Sequence, residues 1–402
     1  MARQTHESER NRGHGAGRRG DERRGNGHSR HRDAPGRNRE PRAQEPQELD
    51  EATGLPAHLL SRVREAYGER AETVVAGWQA AGARPVTLRA NALKASRDEI
   101  ARALDEADLA WREVPWYPDA FVMGGGIRER DLWQLDVYRE GKVYLQSLSS
   151  MLPPLALAPR AGTDVLDMCA APGGKTSQIA ALARGAGGKR PARVTACELS
   201  AVRADKLEHN LAKLGATNVQ VMRCDARRLD EWFSFDQVLL DAPCSGSGTV
   251  HAHDDHAART LTPELLARVT RSQRALIDRG LTVLKPGGAL VYSTCSVLPE
   301  ENEGCVRWAL ERHGDCELVG VGLPFDAAEV EGGAGANALL EPAGGAEPSA
   351  PFAPADGAEP SASPEAGTLI PTALPCRLRE TLTVCPTKLF EGFFVARIKK
   401  RG

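Results

Sequence analysis

Long apolar runs are missing from this 402-residue chain. None approaches the ~18–20 residues needed to cross a bilayer, so no membrane span is expected. The opening MARQTHESERNRGHG holds no apolar segment and does not read as a secretory signal. A cytoplasmic protein is expected, in a compartment where disulfides are rare. Closely spaced cysteine pairs are missing too. The nine cysteines are separated by 28, 27, 20, 51, 10, 11, 60 and 9 residues, with no CxxC. Structural zinc usually draws on such pairs, so no metal site is expected. A lone cysteine packs as a small hydrophobe, and this is the expectation for Cys197, Cys224, Cys305, Cys316, Cys376 and Cys385.

Net charge is nearly absent, at −2, but it is unevenly laid out. Residues 1–43 carry 12 Arg against 6 acidic residues, and residues 326–367 carry 8 acidic residues with no Lys or Arg. The rest is neutral overall, so a basic patch for a polyanion has to be local. Residues 1–52 are rich in Gly, Arg, His, Pro and Glu and poor in apolar side chains, which predicts a disordered Arg-rich tail. The Ala/Gly/Pro/Glu/Ser stretch at 326–369 reads as a disordered acidic insertion. An HAHDDH stretch (251–256) reads as a solvated loop rather than a metal site.

Between these segments the pattern is regular. Residues 53–145 read as a small α+β domain. LPAHLLSRVREAYG has helical spacing, TLRANALK and FVMGGG read as strands, and Ser96 can cap the helix that follows it. From 146 onward strands and helices alternate. VLDMC, RVTACE, NVQVMRCD, FDQVLLDAP and ALVYST read as strands. The intervening helices start at KTSQIAALAR, after Ser200 and at Thr262–Pro263. FFVARI near the end is expected to return to the sheet. Such alternation predicts a doubly wound, Rossmann-like parallel sheet. The catalytic domain is expected to span 146–402, with the insertion inside it.

The loop CAAPGGKTSQ follows the first of these strands, and its glycines let backbone approach a ligand closely. GGKT is not a Walker A motif, because the position that requires the first glycine is Cys169. This loop carries no dinucleotide GxGxxG either. Glu198 ends the second strand, where a carboxylate can take both hydroxyls of a ribose. Asp225 ends the third, where it could accept from an adenine amino group. A loop, a ribose acid and an adenine contact on successive strands fit S-adenosylmethionine. The candidate cofactor residues are Cys169, Ala170, Ala171, Pro172, Gly173, Gly174, Lys175, Glu198, Arg203, Asp225 and Asp241.

Two further loops carry thiols: LLDAPCSGSGTV (239–250) and LVYSTCSVLPEENE (290–303). Cys244 and Cys295 each follow an apolar strand. In open α/β sheets the carboxyl ends of the strands are where ligands bind. CAAPGGKT, DAPCSGSGT and YSTCS, in this order, resemble the RNA cytosine-5-methyltransferases of the RsmB/Nop (Sun) type. RANALK, LQSLSSMLPPLAL, LKPGG, PEENE and EGFFVARIKK add to the resemblance, which covers roughly residues 55–325 and 375–402. It implies an S-adenosylmethionine-dependent enzyme in which Cys295 adds to carbon 6 of a cytosine and Cys244 assists release. It also implies that Asp241 contacts the base and Lys175 orients it. Carbon 5 of cytosine is a poor nucleophile, and thiolate addition at carbon 6 converts the ring to an enamine-like species that can accept a methyl group. The target base has to be exposed in a loop or flipped out of its stack to be reached.

RNA contact is expected from residues 53–145, with Arg89, Asn91 and Lys94 in RANALK. Ribosomal RNA is the favoured substrate and transfer RNA the alternative. A ribosome-assembly factor whose methylation is secondary is the competing reading. DNA is not expected, because DNA enzymes of related chemistry use the Pro-Cys thiol as nucleophile and carry a large target-recognition segment. A monomer is expected.

Overall fold

The computed structural model describes residues 48–185, 187–326, 328–329 and 369–402. The Arg-rich tail to residue 47 and most of the acidic insertion lie outside the described residues. At the tail's inner edge, Leu49 bridges Pro56 in an antiparallel contact, so ordered structure begins before residue 53. Ala328–Glu329 likewise pairs with Thr372–Leu374, inside the stretch read from sequence as wholly unstructured.

The chain enters through α1 (Ala57–Tyr67) and α2 (Ala71–Gln79). Leu59, Leu60 and Val63 of α1 and Val74, Val75 and Trp78 of α2 are buried together against Val250, Leu261 and Val297 of the later chain. A four-stranded antiparallel sheet follows, built from β1 (Thr87–Ala90), β2 (Trp111–Glu113), β3 (Ala120–Met123) and β4 (Val143–Leu145). Its order is β2-β3-β1-β4. α3 (Arg97–Glu106) covers it with Ile100 and Leu104, and Ser96 caps that helix by accepting from the Glu99 N–H. Two single-turn helices, α4 (Glu129–Leu132) and α5 (Asp136–Arg139), lead into β4.

α6 (Leu148–Leu157) is apolar nearly all round and lies in the core. The large sheet then begins with β5 (Asp164–Asp167), followed by α7 (Gly174–Leu182), β6 (Arg193–Cys197), α8 (Ala201–Leu214) and β7 (Val219–Met222). Next come β8 (Phe235–Asp241), the short α9 (Asp255–Thr260), α10 (Pro263–Thr282), β9 (Leu284–Thr294) and α11 (Glu303–Arg312). HAHDDH is thus partly helical rather than a plain loop, with Asp254 capping α9 by accepting from the Ala257 N–H. β10 (Cys316–Val319), β11 (Ala328–Glu329), β12 (Thr372–Leu374), β13 (Leu382–Val384) and β14 (Phe393–Lys400) complete the chain.

The strand order is β11-β12-β13-β14-β9-β8-β5-β6-β7, with β10 also on β14. β7, β6, β5, β8 and β9 are parallel, and β14 runs antiparallel to β9, as FFVARI suggested. The central strands are buried on both faces, which explains their unbroken apolar runs: Val238, Leu239, Leu240, Val291 and Tyr292 are all at 0 % exposure. Each such side chain contributes about 1.5–3 kcal/mol. The direction of winding reverses between β5 and β8, which opens a crevice at their carboxyl ends.

Candidate active site

The loop after β5 folds as a tight cradle. Gly173 has φ +107°, a left-handed value that a side chain rarely adopts, and an added Cβ would meet Leu207 Cδ1 at 3.0 Å. Ala170 N–H donates to the Cys197 carbonyl (3.0 Å). Arg203 Nη2 donates to the Ala171 carbonyl (2.9 Å), and Asn210 Nδ2 to that of Pro172 (2.7 Å). The loop's carbonyls are thereby fixed from α8. Beneath it Asp167, fully buried, accepts from Thr176 Oγ1 (2.7 Å) and the Cys169 N–H (3.4 Å). Burial pushes its carboxyl up to about 6, although the Thr176 hydrogen bond opposes the rise. Burial also pushes the Cys169 thiol well above its usual range.

Glu198 lies just beyond β6, 5 % exposed. Its Oε1 accepts from the Ser200 N–H (2.9 Å), and Oε2 lies 3.5 Å from Arg203 Nη1. Asp225 follows β7 and is engaged by Arg227, whose Nη2 sits 2.7 Å from Oδ2. That hydrogen bond holds the Asp225 carboxyl below its ordinary range. Both acids stand where the sequence put them, on the carboxyl edge beside the cradle. The residues present fit S-adenosylmethionine: a loop of small side chains with two glycines, a buried carboxylate with acceptor capacity left over, and a second acid one strand further out.

The two thiols come together. Cys244, three residues past β8, and Cys295, directly after β9, place their Sγ atoms 3.1 Å apart. Both are free and half-buried. The hydrogen bond with Cys295 and then burial push the Cys244 thiol well above the usual range, so it holds its proton. The loops interlock. Gly248 N–H donates to the Cys295 carbonyl (3.0 Å), and Gly392 N–H donates to the Gly248 carbonyl (2.8 Å). A Cβ on Gly248 would lie 1.9 Å from the Gly392 oxygen, so the GSG segment admits no side chain there.

Asp241 ends β8. Its Oδ2 pairs with Lys175 Nζ at 2.8 Å, and Oδ1 accepts from Ser293 Oγ at 2.8 Å. Lys175 also donates to Ser150 Oγ (2.6 Å) and lies 5.4 Å from the centre of the Phe393 ring. Burial works to lower its pKa, but the charge of Asp241 and their hydrogen bond outweigh it, so the ammonium is held above its ordinary value. Cys295, Cys244, Asp241 and Lys175 thus occupy one site at the β5/β8/β9 edge.

The RANALK residues differ from expectation. Arg89 and Asn91 are fully buried. Arg89 donates to Gln146 Oε1 (2.9 Å), to the Gly174 carbonyl (2.9 Å) and to Ser177 Oγ (2.6 Å). Asn91 Nδ2 donates to the carbonyls of Gly141 and Leu214. Lys94 Nζ reaches the carbonyls of Glu140 and Lys213. Arg89 and Asn91 tie the N-terminal sheet to α7 and to the end of α8 and do not face outward, whereas Lys94 stays exposed while its Nζ spans the two carbonyls. Sequence reading also passed over Glu301, Gln273, Ser150 and Ser293. Within PEENE no spacing signals that Glu301 and Glu303 are buried while Glu300 is not.

A parallel sheet with a small-residue loop after its first strand, a buried acid after its second and two thiols in contact has the form of a Rossmann-like methyltransferase domain. The family model described as 16S rRNA methyltransferase RsmB/F matches residues 154–399, and one described as an RsmF/B-like ferredoxin-like domain matches residues 55–128. The chain belongs to the RsmB/F methyltransferase family. The ribosomal RNA small subunit methyltransferase F of Shewanella sp. (strain ANA-3) is 36 % identical over 257 residues, which is 62 % of this chain and 52 % of the relative. The chain therefore spans about half the length of the curated relatives it matches. A methyltransferase homolog protein from Pyrococcus horikoshii superposes with a TM-score of 0.62 at 31 % identity, over 85 % of this chain and 93 % of the other. NSun6 from the same organism, solved with SFG, shares the fold with a TM-score of 0.64 at 21 % identity, over 87 % and 99 % of the two chains.

Proposed function

We propose that this protein methylates carbon 5 of a cytosine in RNA, with small-subunit ribosomal RNA as the substrate. The observation that carries the reading is the pair of free thiols 3.1 Å apart beside an Asp241–Lys175 ion pair, at the crevice of a methyltransferase sheet. The names of the curated relatives favour ribosomal RNA over transfer RNA. When bound, S-adenosylmethionine supplies an electrophilic methyl group. The cradle 169–175, Glu198, Arg203 and Asp225 would hold it, and Asp241 borders it.

Cys295, as thiolate, forms a bond to carbon 6 of the cytosine, and the ring's electron pair becomes available at carbon 5. Asp241 lies on the same strand edge, where its carboxylate can accept from the cytosine amino group and from ring nitrogen 3 once that nitrogen has taken a proton from solvent. Lys175 orients that carboxyl group from behind. After methylation a solvent water takes the carbon 5 proton, the carbon 5–carbon 6 double bond re-forms, and the carbon 6–sulfur bond breaks with its electron pair returning to Cys295 as thiolate. Cys244, a protonated thiol in contact with Cys295, is placed to assist that release. The test combines purified protein, S-adenosylmethionine and unmodified small-subunit rRNA, followed by bisulfite sequencing. A newly protected cytosine is expected. Methylation at another atom, or on transfer RNA alone, would overturn the reading.

A further inference from the structure

Neither thiol loop is held by its own strand alone. Glu301, fully buried, stands between them. Its Oε1 accepts from the Ser245 N–H (2.8 Å) and Gln273 Nε2 (3.1 Å). Its Oε2 accepts from Ser245 Oγ (2.6 Å) and Ser296 Oγ (2.6 Å). Ser245 follows Cys244, and Ser296 follows Cys295. Gln273 also donates to the Pro243 carbonyl (3.0 Å), the residue on the other side of Cys244. One carboxylate therefore grips the residue after each thiol and, through Gln273, the residue before Cys244. The Tyr292 hydroxyl donates to the Glu301 carbonyl (2.6 Å) and Asn302 Nδ2 to that of Ser296 (2.9 Å), so the segment bearing the carboxylate is itself pinned to β9 and its loop. A buried carboxylate is tolerated when its oxygens are filled by donors, and here all four donors serve the two loops.

We propose that Glu301 is the positioning residue that holds Cys244 in contact with Cys295, so that the release thiol is in place while Cys295 is bonded to the base. The inference rests on the division of labour between the thiols proposed above. A group displaced by about 1 Å loses on the order of 10²-fold in rate, and the loosened member should be the one whose anchor is cut. The asymmetry makes this testable. Ser245→Ala removes the hydroxyl donor on the Cys244 side, leaving the Ser245 N–H and Gln273, and Ser296→Ala removes the direct donor on the Cys295 side.

The experiment uses the full chain with unmodified cytosine RNA and S-adenosylmethionine, and follows covalent protein–RNA complex by denaturing gel alongside methyl transfer. Glu301→Gln and Ser245→Ala should accumulate the complex, as is expected of Cys244→Ala, with turnover down on the order of 10²-fold. Ser296→Ala should instead slow formation of the complex. Loss of formation and release in parallel, together with weaker cofactor binding and a lower melting temperature in all three variants, would overturn the proposal. A Cys244→Ala protein that accumulates nothing would overturn the division of labour, and with it this inference. If Cys244→Ala accumulates and the Glu301 and Ser245 variants do not, only the Glu301 proposal falls.

A second readout needs no RNA. Diamide takes two electrons and two protons from a pair of thiols and is reduced to the hydrazine as the sulfurs join. Peptide mapping of Cys244–Cys295 closure should show a rate about tenfold or more lower in Glu301→Gln. An unchanged rate would contradict the proposal.

Discussion

The thiol site and the proposed cofactor rim sit on the same sheet edge but are built differently. At the thiol site the anchors are buried: Glu301, Gln273, Ser293 and Ser296 are at 0 % exposure, and the backbones of Gly248 and Gly392 touch. At the rim the acids are steered by arginines that stay half in water, with Arg203 and Arg227 side chains 55 % and 38 % exposed. Reacting atoms need fixed distances, whereas a cofactor that enters and leaves at every turnover needs contacts that can part. The same contrast predicts where substitutions hurt most.

Among changes that keep both thiols, Asp241→Asn should have the largest effect. It leaves the buried Lys175 ammonium without its counter-charge, at a cost of roughly 3 kcal/mol in stability. Methyl transfer should fall on the order of 10²–10³-fold through lost base contact, and urea unfolding with initial-rate assays would check both. Glu198→Gln should spare stability but weaken S-adenosylmethionine binding by about 10- to 100-fold, the equivalent of one charged hydrogen bond. Calorimetric titration reads that directly.

Asp167 gives a pH signature. Its folded pKa of about 6 exceeds that of an unfolded Asp, so between about pH 4 and 6 the folded chain holds a proton that the unfolded chain has released. Its contribution to stability is therefore present at the acid end of that window and is lost as pH rises through about 6. Relative to the wild type, Asp167→Asn should gain roughly 2 kcal/mol between pH 4.5 and pH 7, seen as diverging urea midpoints. Arg227→Ala should do least. Its pair with Asp225 is partly exposed and worth under about 1 kcal/mol, so cofactor affinity should change by less than about fivefold in the same titration.

The contrast also governs what was legible in the sequence. The parallel strands announce themselves because burial on both faces demands unbroken apolar runs, and the strand ends, loops and helix start that follow carry Asp241, Cys244, Cys295 and Lys175 as visible exceptions. Glu198 and Asp225 are legible for the same reason. Arg89 was not: an arginine in a short strand gives no sign that its guanidinium turns inward onto Gly174 and Ser177, 85 and 88 residues later. Glu301 was hidden in an acidic string whose neighbours Glu300 and Asn302 look equally polar. Its role depends on loops that meet only in three dimensions.

The central claim is that Cys295 forms the bond to the base and Cys244 helps to break it. RNA containing 5-fluorocytosine traps the methylated adduct, because fluorine at carbon 5 cannot leave as a proton does. Incubated with S-adenosylmethionine, the Cys244→Ala protein should form a covalent complex stable to denaturation, and the Cys295→Ala protein should form none. An adduct that survives in Cys295→Ala and vanishes in Cys244→Ala would contradict the account.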